Sequence, residues 1–282
     1  MTISDLKNRF TTELSSLYTD SETAFLYSVF IRKIVGLDSF QQRMLAHREL
    51  LQEDEERLYQ VISELKTHKP YQQILGETEF FGMTFYVNEH VLIPRPETEE
   101  LLEMAVNKIK HHFSDPKLKI LDIGTGSGII PIVLKKHFPE AEVFSIDFSE
   151  NALQTARKNA ELHQLAINFI HQDYLNFELT DHYDIIISNP PYIGIEEEHE
   201  IADSVKEFEP VMALFSPTSD ALIFYRKIAQ DTERYLKGNG LLFLEINQKL
   251  GPETLKLYTP IFSEVHLIKD LSGNDRFIWG KK

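Results

Sequence analysis

The chain of 282 residues contains no cysteine, which excludes disulfide bonds, cysteine zinc sites and a thiolate nucleophile. Long apolar runs are also missing: the longest, such as residues 241–244, are far shorter than the roughly 20 residues that a membrane helix needs. Residues 1–6 include neither a basic region nor an apolar core, so no secretory signal is expected. A cytoplasmic location is the default expectation.

Positive charge is scarce, with 29 lysines and arginines against 44 aspartates and glutamates and a formal net charge of −15. Proteins that bind nucleic acid usually neutralise its phosphates with clustered basic side chains, and the sequence has no basic stripe. The composition therefore favours a protein or small-molecule substrate without excluding RNA. We expect a monomer that contacts neither nucleic acid nor a membrane directly.

No metal site is predicted. The histidines are scattered without the spacing of metal ligands. The acidic run at residues 196–200, which includes His199, is more typical of a solvated segment than of a metal site.

Residues 1–70 carry apolar residues at helical spacing and predict a small helical bundle. The predicted helices begin near Ile3 and Ser21 and extend over about residues 39–51 and 53–66. A proline ends the last of them. Such a bundle suits a scaffold, a dimerisation unit or a substrate-docking domain, and no motif decides between these roles.

A second, larger region follows the bundle. Aromatic and β-branched residues alternate around Gly82, so residues 71–93 predict a linking β-hairpin. Thr98 and its acidic neighbours suit the start of a helix. Residues 94–282 alternate between strand and helix patterns, which predicts an α/β domain with a mostly parallel sheet covered on both faces. The predicted strands are residues 119–123, 141–146, 167–171, 183–188, 241–246, 265–269 and 276–279.

The first of these strands leads into a glycine loop, Gly124-Thr125-Gly126-Ser127-Gly128, where a ligand can approach the backbone closely. A nicotinamide fingerprint would need glycine at position 129, which is isoleucine, so the spacing fits the D-x-G-x-G-x-G loop of S-adenosylmethionine (SAM) enzymes better. Asp147, after the next strand, would accept hydrogen bonds from both hydroxyls of a ribose. Asp173 and Tyr174, after the third strand, would contact an adenine. The candidate cofactor-binding residues are Asp122, Gly124, Thr125, Gly126, Ser127, Gly128, Asp147, Asp173, Tyr174 and Asn189.

The strand at residues 183–188 ends at Asn189-Pro190-Pro191-Tyr192, because two prolines cannot continue a hydrogen-bonded ladder. An amide side chain, a fixed carbonyl and an aromatic ring thus stand at the carboxyl end of a strand, where ligands bind in open α/β sheets. The Asn189 side-chain oxygen and the Pro190 carbonyl would accept both hydrogens of a planar –NH₂ group, either a carboxamide or a base amine. Holding these hydrogens out of plane would localise the nitrogen lone pair and aim it at an electrophile, without a general base.

The chain resembles the bacterial peptide chain release factor N5-glutamine methyltransferases, which are HemK-like class I SAM enzymes, over nearly its whole length. The matching stretches keep the family's order and spacing; they are Glu79-Phe80-Phe81-Gly82, Ile93-Pro94-Arg95-Pro96-Glu97-Thr98-Glu99, residues 122–128, Asp147, Asp173-Tyr174, residues 189–192, Phe208-Glu209-Pro210 with Ala213-Leu214, and Gly273-Asn274-Asp275-Arg276. Related ribosomal-protein glutamine methyltransferases typically carry Ser-Pro after the Pro-Arg pair, where this chain has Pro96-Glu97. After Leu214 and after Glu245, glycines that are frequent in the family are absent, which affects local loop shape.

The resemblance implies a Rossmann-like, seven-stranded methyltransferase fold with an N-terminal helical domain that docks the substrate. It also implies methyl transfer from SAM, leaving S-adenosylhomocysteine, to the side-chain nitrogen (N5) of glutamine in the Gly-Gly-Gln motif of release factors, with no metal. Asn189, Pro190 and Tyr192 would be catalytic, and Pro191 would join them in binding the substrate.

Two alternative substrates stay open, namely a glutamine of a ribosomal protein and the exocyclic amine (N6) of adenine in nucleic acid. An adenine enzyme would have to flip its base and hold a phosphate backbone, for which this acidic chain offers no basic stripe. A SAM-binding adaptor without activity is a third alternative, but it would have no need for Asn189.

Overall fold

The computed structural model of the protein describes residues 1–194, 197, 199 and 203–282. It divides into two compact units, Met1–Glu77 and Thr78–Lys282. Within the described ranges, no helix is long and apolar enough to cross a membrane, and no cluster of three or more histidine, aspartate or glutamate side chains could hold a metal ion. Of the acidic run predicted to be solvated, Glu196, Glu198 and Glu200 lie outside the described residues.

The first unit is a bundle of helices, as the apolar spacing predicts. Thr2 and Thr19 begin the first two helices with capping boxes, in which the threonine and an acidic side chain each accept a backbone N–H. Apolar side chains such as Phe10, Phe30 and Leu58 fill the core of the unit. The helices are α1 (Ile3–Leu14), α2 (Asp20–Val35), α3 (Ser39–Met44), α4 (Gln52–Leu65) and α5 (Tyr71–Leu75).

Helix α3 is shorter than predicted, because it ends at Met44. The carbonyl of Arg48 accepts a hydrogen bond from the N–H of Ile3 at 3.1 Å. The carbonyl of Ala46 accepts one from Ser4 at 2.8 Å. Both N–H groups lie in the first turn of α1 and have no acceptor within that helix. The segment after α3 therefore pairs with the start of α1 instead of continuing as helix.

The boundary between the units also differs from the prediction. Helix α5 follows the predicted boundary at residue 70, yet its apolar residues Ile74 and Leu75 pack on the core of the helical bundle. The bundle consequently extends to Glu77.

The hairpin predicted as a linker belongs to the core of the second unit. Its strands, β1 (Glu77–Phe80) and β2 (Met83–Tyr86), are joined by two residues that both have positive φ, as a tight hairpin turn requires. Phe80, Met83 and Phe85 are buried in the same apolar cluster as the large sheet of that unit. The hairpin therefore packs against the large sheet and is part of the core of the second unit.

The second unit contains a mostly parallel sheet, which confirms the predicted fold class. In the described residues seven strands pair in the order β5-β4-β3-β6-β7-β9-β8, with β9 antiparallel to both of its neighbours. The strands are β3 (Lys119–Ile123), β4 (Glu142–Asp147), β5 (Asn168–His171), β6 (Tyr183–Ser188), β7 (Leu236–Glu245), β8 (Glu264–Lys269) and β9 (Asp275–Lys281). The helices are α6 (Pro96–His112), α7 (Ile129–His137), α8 (Glu150–Leu162), α9 (Asp203–Phe208), α10 (Val211–Leu214), α11 (Ile223–Tyr235) and α12 (Gly251–Tyr258).

The central strands are buried on both faces of the sheet. Ile120 and Ile185 belong to one apolar cluster, whereas their chain neighbours Leu121 and Ile186 belong to another. Such double burial explains why these strands read as continuous apolar runs. The chain order reverses between β3 and β6, and the carboxyl ends of these two strands meet at the edge where ligands bind in this class of sheet.

Candidate active site

The glycine loop and the Asn-Pro-Pro-Tyr motif lie side by side at this reversal point. Ile123 pairs with Ser188 in the parallel register of β3 and β6, so Gly124 and Asn189 follow at equivalent positions. A Cβ atom on Gly124 would lie 3.5 Å from the backbone oxygen of Asn189. A cavity of about 760 Å³ opens here, and both residues line it. The structure thus brings together the two motifs that the sequence singles out.

The glycine loop depends on left-handed backbone at its three glycines. Gly124, Gly126 and Gly128 have φ of 88°, 53° and 86°, which other residues rarely adopt. A Cβ on Gly128 would lie 3.0 Å from the Cβ of Ala156, so this glycine allows α7 to approach α8. Gly124 to Ser127 line the cavity.

Asp147 stands at the end of β4 and also lines the cavity. Its Oδ2 accepts the N–H of Gly126 at 2.9 Å, and its Oδ1 accepts the N–H of Ser149 at 2.8 Å. Burial raises the pKa of Asp147, while hydrogen bonds from backbone N–H groups oppose that shift. Because each carboxylate oxygen has a second lone pair, Asp147 can still accept two hydroxyl groups from a ligand.

Asp122 is placed differently from the other candidate cofactor residues. It is fully buried beneath the loop and, unlike Asp147, is not among the described residues that line the cavity. Ser145 Oγ lies 2.6 Å from Asp122 Oδ2 and 2.6 Å from the hydroxyl of Thr125. Burial raises the pKa of Asp122 well above its usual range. Asp122 thus supports the loop through Ser145 and Thr125.

Asp173 and Tyr174 lie after β5 and line the same cavity. The Asp173 carboxylate accepts the N–H of Leu175 at 3.1 Å. Tyr174 is 5% exposed, and its hydroxyl donates to Asp231 at 2.8 Å. The ring is therefore anchored in the core at its hydroxyl end, and its predicted contact with adenine stays a prediction.

A second cavity, of about 350 Å³, adjoins the first at the Asn-Pro-Pro-Tyr motif. Arg95, Asn189 and Pro190 line both cavities. Tyr192 and Glu245 line the smaller one. Asn189 and Pro190 thus form part of the wall where a molecule in one cavity would meet a molecule in the other.

A chain of hydrogen bonds within this wall, which includes Thr98 of the larger cavity and Glu245 of the smaller one, was not predicted from the sequence. Asn189 Nδ2 donates to Thr98 Oγ1 at 3.1 Å, and Thr98 Oγ1 donates to Glu245 Oε2 at 2.7 Å. The Tyr192 hydroxyl donates to the other oxygen, Glu245 Oε1, at 3.3 Å. Thr98 lies in the first turn of α6, but Arg95 occupies the cap position, so the side chain of Thr98 is available for this contact.

Glu245 is an acidic side chain in a fully buried position at the end of β7. Burial raises the pKa of Glu245 to about 7. The hydrogen bond from Thr98 and the charge of Arg276 oppose that shift, and Glu97 adds to it. The carboxyl group therefore changes charge near neutral pH.

Arg95, which lines both cavities, forms an ion pair with Glu209. Arg95 Nη2 lies 2.6 Å from Glu209 Oε1, and Glu209 Oε2 accepts the N–H of Ile93 at 3.0 Å. The Glu209 side chain is 1% exposed. Both residues fall in stretches that match the family, yet no local pattern in the sequence connects them.

Comparisons with known proteins identify relatives of this chain. A family model described as the methyltransferase small domain matches residues 101–207. The chain is 46% identical to the release factor glutamine methyltransferase of Flavobacterium psychrophilum, over 99% of this chain and 98% of that one. It is 38% identical to the protein of the same name from Streptococcus pneumoniae, also over 99% of this chain and 98% of that one.

A solved structure supports the fold. The Thermus thermophilus 16S rRNA N2 G1207 methyltransferase, in complex with AdoMet and guanosine, matches 73% of this chain and 49% of that chain, with 20% identity and a TM-score of 0.52. At this identity the match shows a shared fold alone. The two relatives above, by contrast, cover the helical bundle as well as the sheet. The resemblance predicted from the motifs is thus confirmed, and this methyltransferase belongs to the release factor glutamine methyltransferase family.

Proposed function

We propose that this protein transfers the methyl group of SAM to the side-chain amide nitrogen of the glutamine in the Gly-Gly-Gln motif of peptide chain release factors. We expect it to act as a monomer in the cytoplasm, where translation terminates. The observation that carries the proposal is the orientation of Asn189. Its amino group is engaged by Thr98, which leaves its oxygen as an acceptor in the wall shared by the two cavities.

The larger cavity fits SAM. Its volume of about 760 Å³ lies within the range of small-molecule sites. Asp147 would hold the ribose hydroxyls with the lone pairs that Gly126 and Ser149 leave free. Asp173 and Tyr174 would bind at the adenine end. When bound, SAM supplies a methyl group on a positively charged sulfur.

The smaller cavity suits the glutamine side chain. Its walls combine the apolar side chains Leu92, Ile193 and Leu214 with the polar groups of the Asn-Pro-Pro-Tyr motif. The Asn189 oxygen and the Pro190 carbonyl would accept the two amide hydrogens, and Tyr192 would pack against the inserted side chain. With its hydrogens held in this way, the amide nitrogen would turn its lone pair toward the larger cavity.

The chemistry needs orientation more than a strong base. An amide nitrogen is a poor nucleophile because its lone pair is delocalised into the carbonyl group. Two preorganised acceptors that hold the hydrogens out of plane would localise the lone pair. As the new bond forms, the nitrogen becomes acidic and its proton can pass to water. We therefore assign no general base.

We also propose that the helical unit, Met1–Glu77, docks the protein substrate. It exposes several large apolar side chains, including Phe40, Met44 and Leu51, which are 63%, 69% and 67% exposed. Contiguous apolar patches, and not single exposed side chains, mark surfaces that bind another protein, and Phe40 and Met44 share one face of α3 because they lie four positions apart.

The test is mass spectrometry of an unmodified release factor after incubation with the protein and SAM. We expect one added methyl group on the glutamine of the Gly-Gly-Gln motif. A short peptide with the same motif serves as the second substrate. If the helical unit docks the release factor, the peptide should show a much higher KM than the intact release factor but a similar kcat.

Ribosomal proteins, duplex DNA and ribosomal RNA with methyl-labelled SAM form the control. Label in any of these together with an unmodified release factor would contradict the proposed substrate. Equal KM values for the peptide and the intact release factor would contradict the docking role alone.

A further inference from the structure

Asn189 can accept a hydrogen of the substrate amide, beside the Pro190 carbonyl, only if its oxygen and not its amino group faces the substrate. The two ends of a carboxamide have nearly the same size, so packing alone does not distinguish them. We infer that Thr98 and Glu245 are positioning residues, which fix the Asn189 carboxamide with its oxygen toward the substrate amide. The inference rests on the proposed function and adds two residues to its machinery.

The direction of each hydrogen bond follows from Glu245. In its ionised form Glu245 can only accept, so the hydroxyls of Thr98 and Tyr192 must then both donate to it. Once its hydrogen is committed to Glu245, Thr98 can only accept from Asn189. The group it accepts is the Asn189 amino group, 3.1 Å away. The Asn189 oxygen is thereby left for the substrate.

The burial of this chain of groups supports a role in function. Thr98 is 2% exposed and Glu245 is 1% exposed, and they come from α6 and from the end of β7. Because the folded-state pKa of Glu245, about 7, lies above the usual 4.5, the stabilising contribution of this group is lost as the pH rises from about 4.5 through about 7. A carboxylate at this position therefore costs stability in neutral solution, and an uncharged residue would avoid the cost.

Protonation of Glu245 would remove the fixed orientation of the Asn189 carboxamide. A protonated carboxyl group can donate to Thr98, which can then donate to the Asn189 oxygen. The Asn189 amino group would in that case face the hydrogens of the substrate amide. Turnover should consequently rise as the pH rises through about 7.

The other groups that face Glu245 would not produce this rise in turnover near pH 7. They are Tyr192, Tyr225 on α11, Arg276 on β9 and Glu97 on α6. The pKa values of Tyr192, Tyr225 and Arg276 are all raised, so these three groups keep their protons through the neutral range. Glu97 acts on Glu245 through its charge and shares no hydrogen bond with it in the described residues.

The test compares Thr98→Val, which removes the hydroxyl at similar size, with Thr98→Ser, which keeps it. Turnover of a release factor at saturating SAM should fall about 10- to 100-fold in Thr98→Val, as a misplaced positioning group would cause. Thr98→Ser should stay within about threefold of wild type, since the hydroxyl remains. Because Thr98 also lines the larger cavity, the affinity for SAM is measured for each variant, and turnover is compared only at saturating SAM.

Thr232→Val is the matched control, because Thr232 is also fully buried and its hydroxyl has no hydrogen-bond partner in the described residues. It should retain wild-type turnover. The dependence of kcat on pH provides a second readout. The step near pH 7 should be present in wild type and in Thr98→Ser, but absent from Thr98→Val and from Glu245→Gln.

Two outcomes would overturn the inference while the proposed function survives. One is an active wild-type protein whose turnover is unchanged in Thr98→Val. The other is an equal loss in Thr98→Ser and Thr98→Val, which would indicate packing instead of a hydrogen bond. A wild-type protein that does not methylate release factors would instead remove the proposed function, and the inference with it.

Discussion

The two walls of the active site are built by different means. The cofactor side consists largely of backbone, held by left-handed glycines and by a carboxylate, Asp147, that bonds to Gly126 in the neighbouring loop. The proposed substrate side adds to the Pro190 carbonyl several side chains that meet from distant parts of the chain. Thr98 reaches Asn189 across 91 positions and Glu245 across 147.

This difference affects how well each wall keeps its shape when a residue is substituted. A backbone wall keeps its shape as long as the glycines are present, because its donors are fixed by φ and ψ. A side-chain wall keeps its shape only if each partner stays in place and in the right protonation state, since buried polar groups are costly when unpaired. Substitutions should therefore affect the two walls in different ways.

The largest effect is expected on the substrate side. Asn189→Ala removes the side-chain acceptor that we propose for the substrate amide, and kcat should fall about 1,000-fold, as for other preorganised groups that act in the transition state. The affinity for SAM, measured by calorimetry, should change only slightly. A comparable loss of SAM affinity would show that the two walls do not act separately.

The opposite pattern is expected on the cofactor side. Asp147→Asn replaces one acceptor oxygen by a donor that faces backbone N–H groups, and the affinity for SAM should fall about 10- to 100-fold. At saturating SAM, kcat should stay close to wild type because the proposed acceptors for the substrate amide, Asn189 and Pro190, are intact. Asp181→Asn, at a side chain that is 49% exposed, makes the same change in net charge and should leave both constants unchanged. A fall in kcat alone would contradict the assigned role of Asp147.

The smallest effect concerns the stability of the backbone wall. Gly128→Ala and Gly273→Ala both place a side chain at nearly the same φ, 86° and 87°. The strain of about 1 to 2 kcal/mol should be common to both. Only Gly128→Ala also places a Cβ against Ala156, so it should lose about 1 to 3 kcal/mol more in the free energy of unfolding.

The single tryptophan, Trp279, lies in the sheet and allows this unfolding to be followed by fluorescence in denaturant. Equal destabilisation by the two alanine substitutions would mean that the contact with Ala156 does not require Gly128.

Local patterns in the sequence determined much of the fold and part of the site. The apolar runs predicted each strand of the large sheet to within about a residue at most ends, although β7 begins at Leu236, earlier than its apolar run. Glycine spacing located the cofactor loop, because left-handed backbone has a strong residue preference. Consecutive prolines located Asn189, because they end a strand wherever they occur.

The tertiary structure alone decided which distant groups meet. Residue types at the start of α6 predict a capping role for Thr98, but its hydroxyl reaches Glu245 instead. Asp122 belongs to the glycine motif by spacing, yet the strand β3 buries it fully, and its carboxyl group bonds to Ser145. A hydrogen bond between residues far apart in the chain produces no periodic pattern in the sequence and requires no particular residue type next to either partner. Packing brings such groups into contact, and only that contact sets the charge and the hydrogen-bond direction on which the reaction depends.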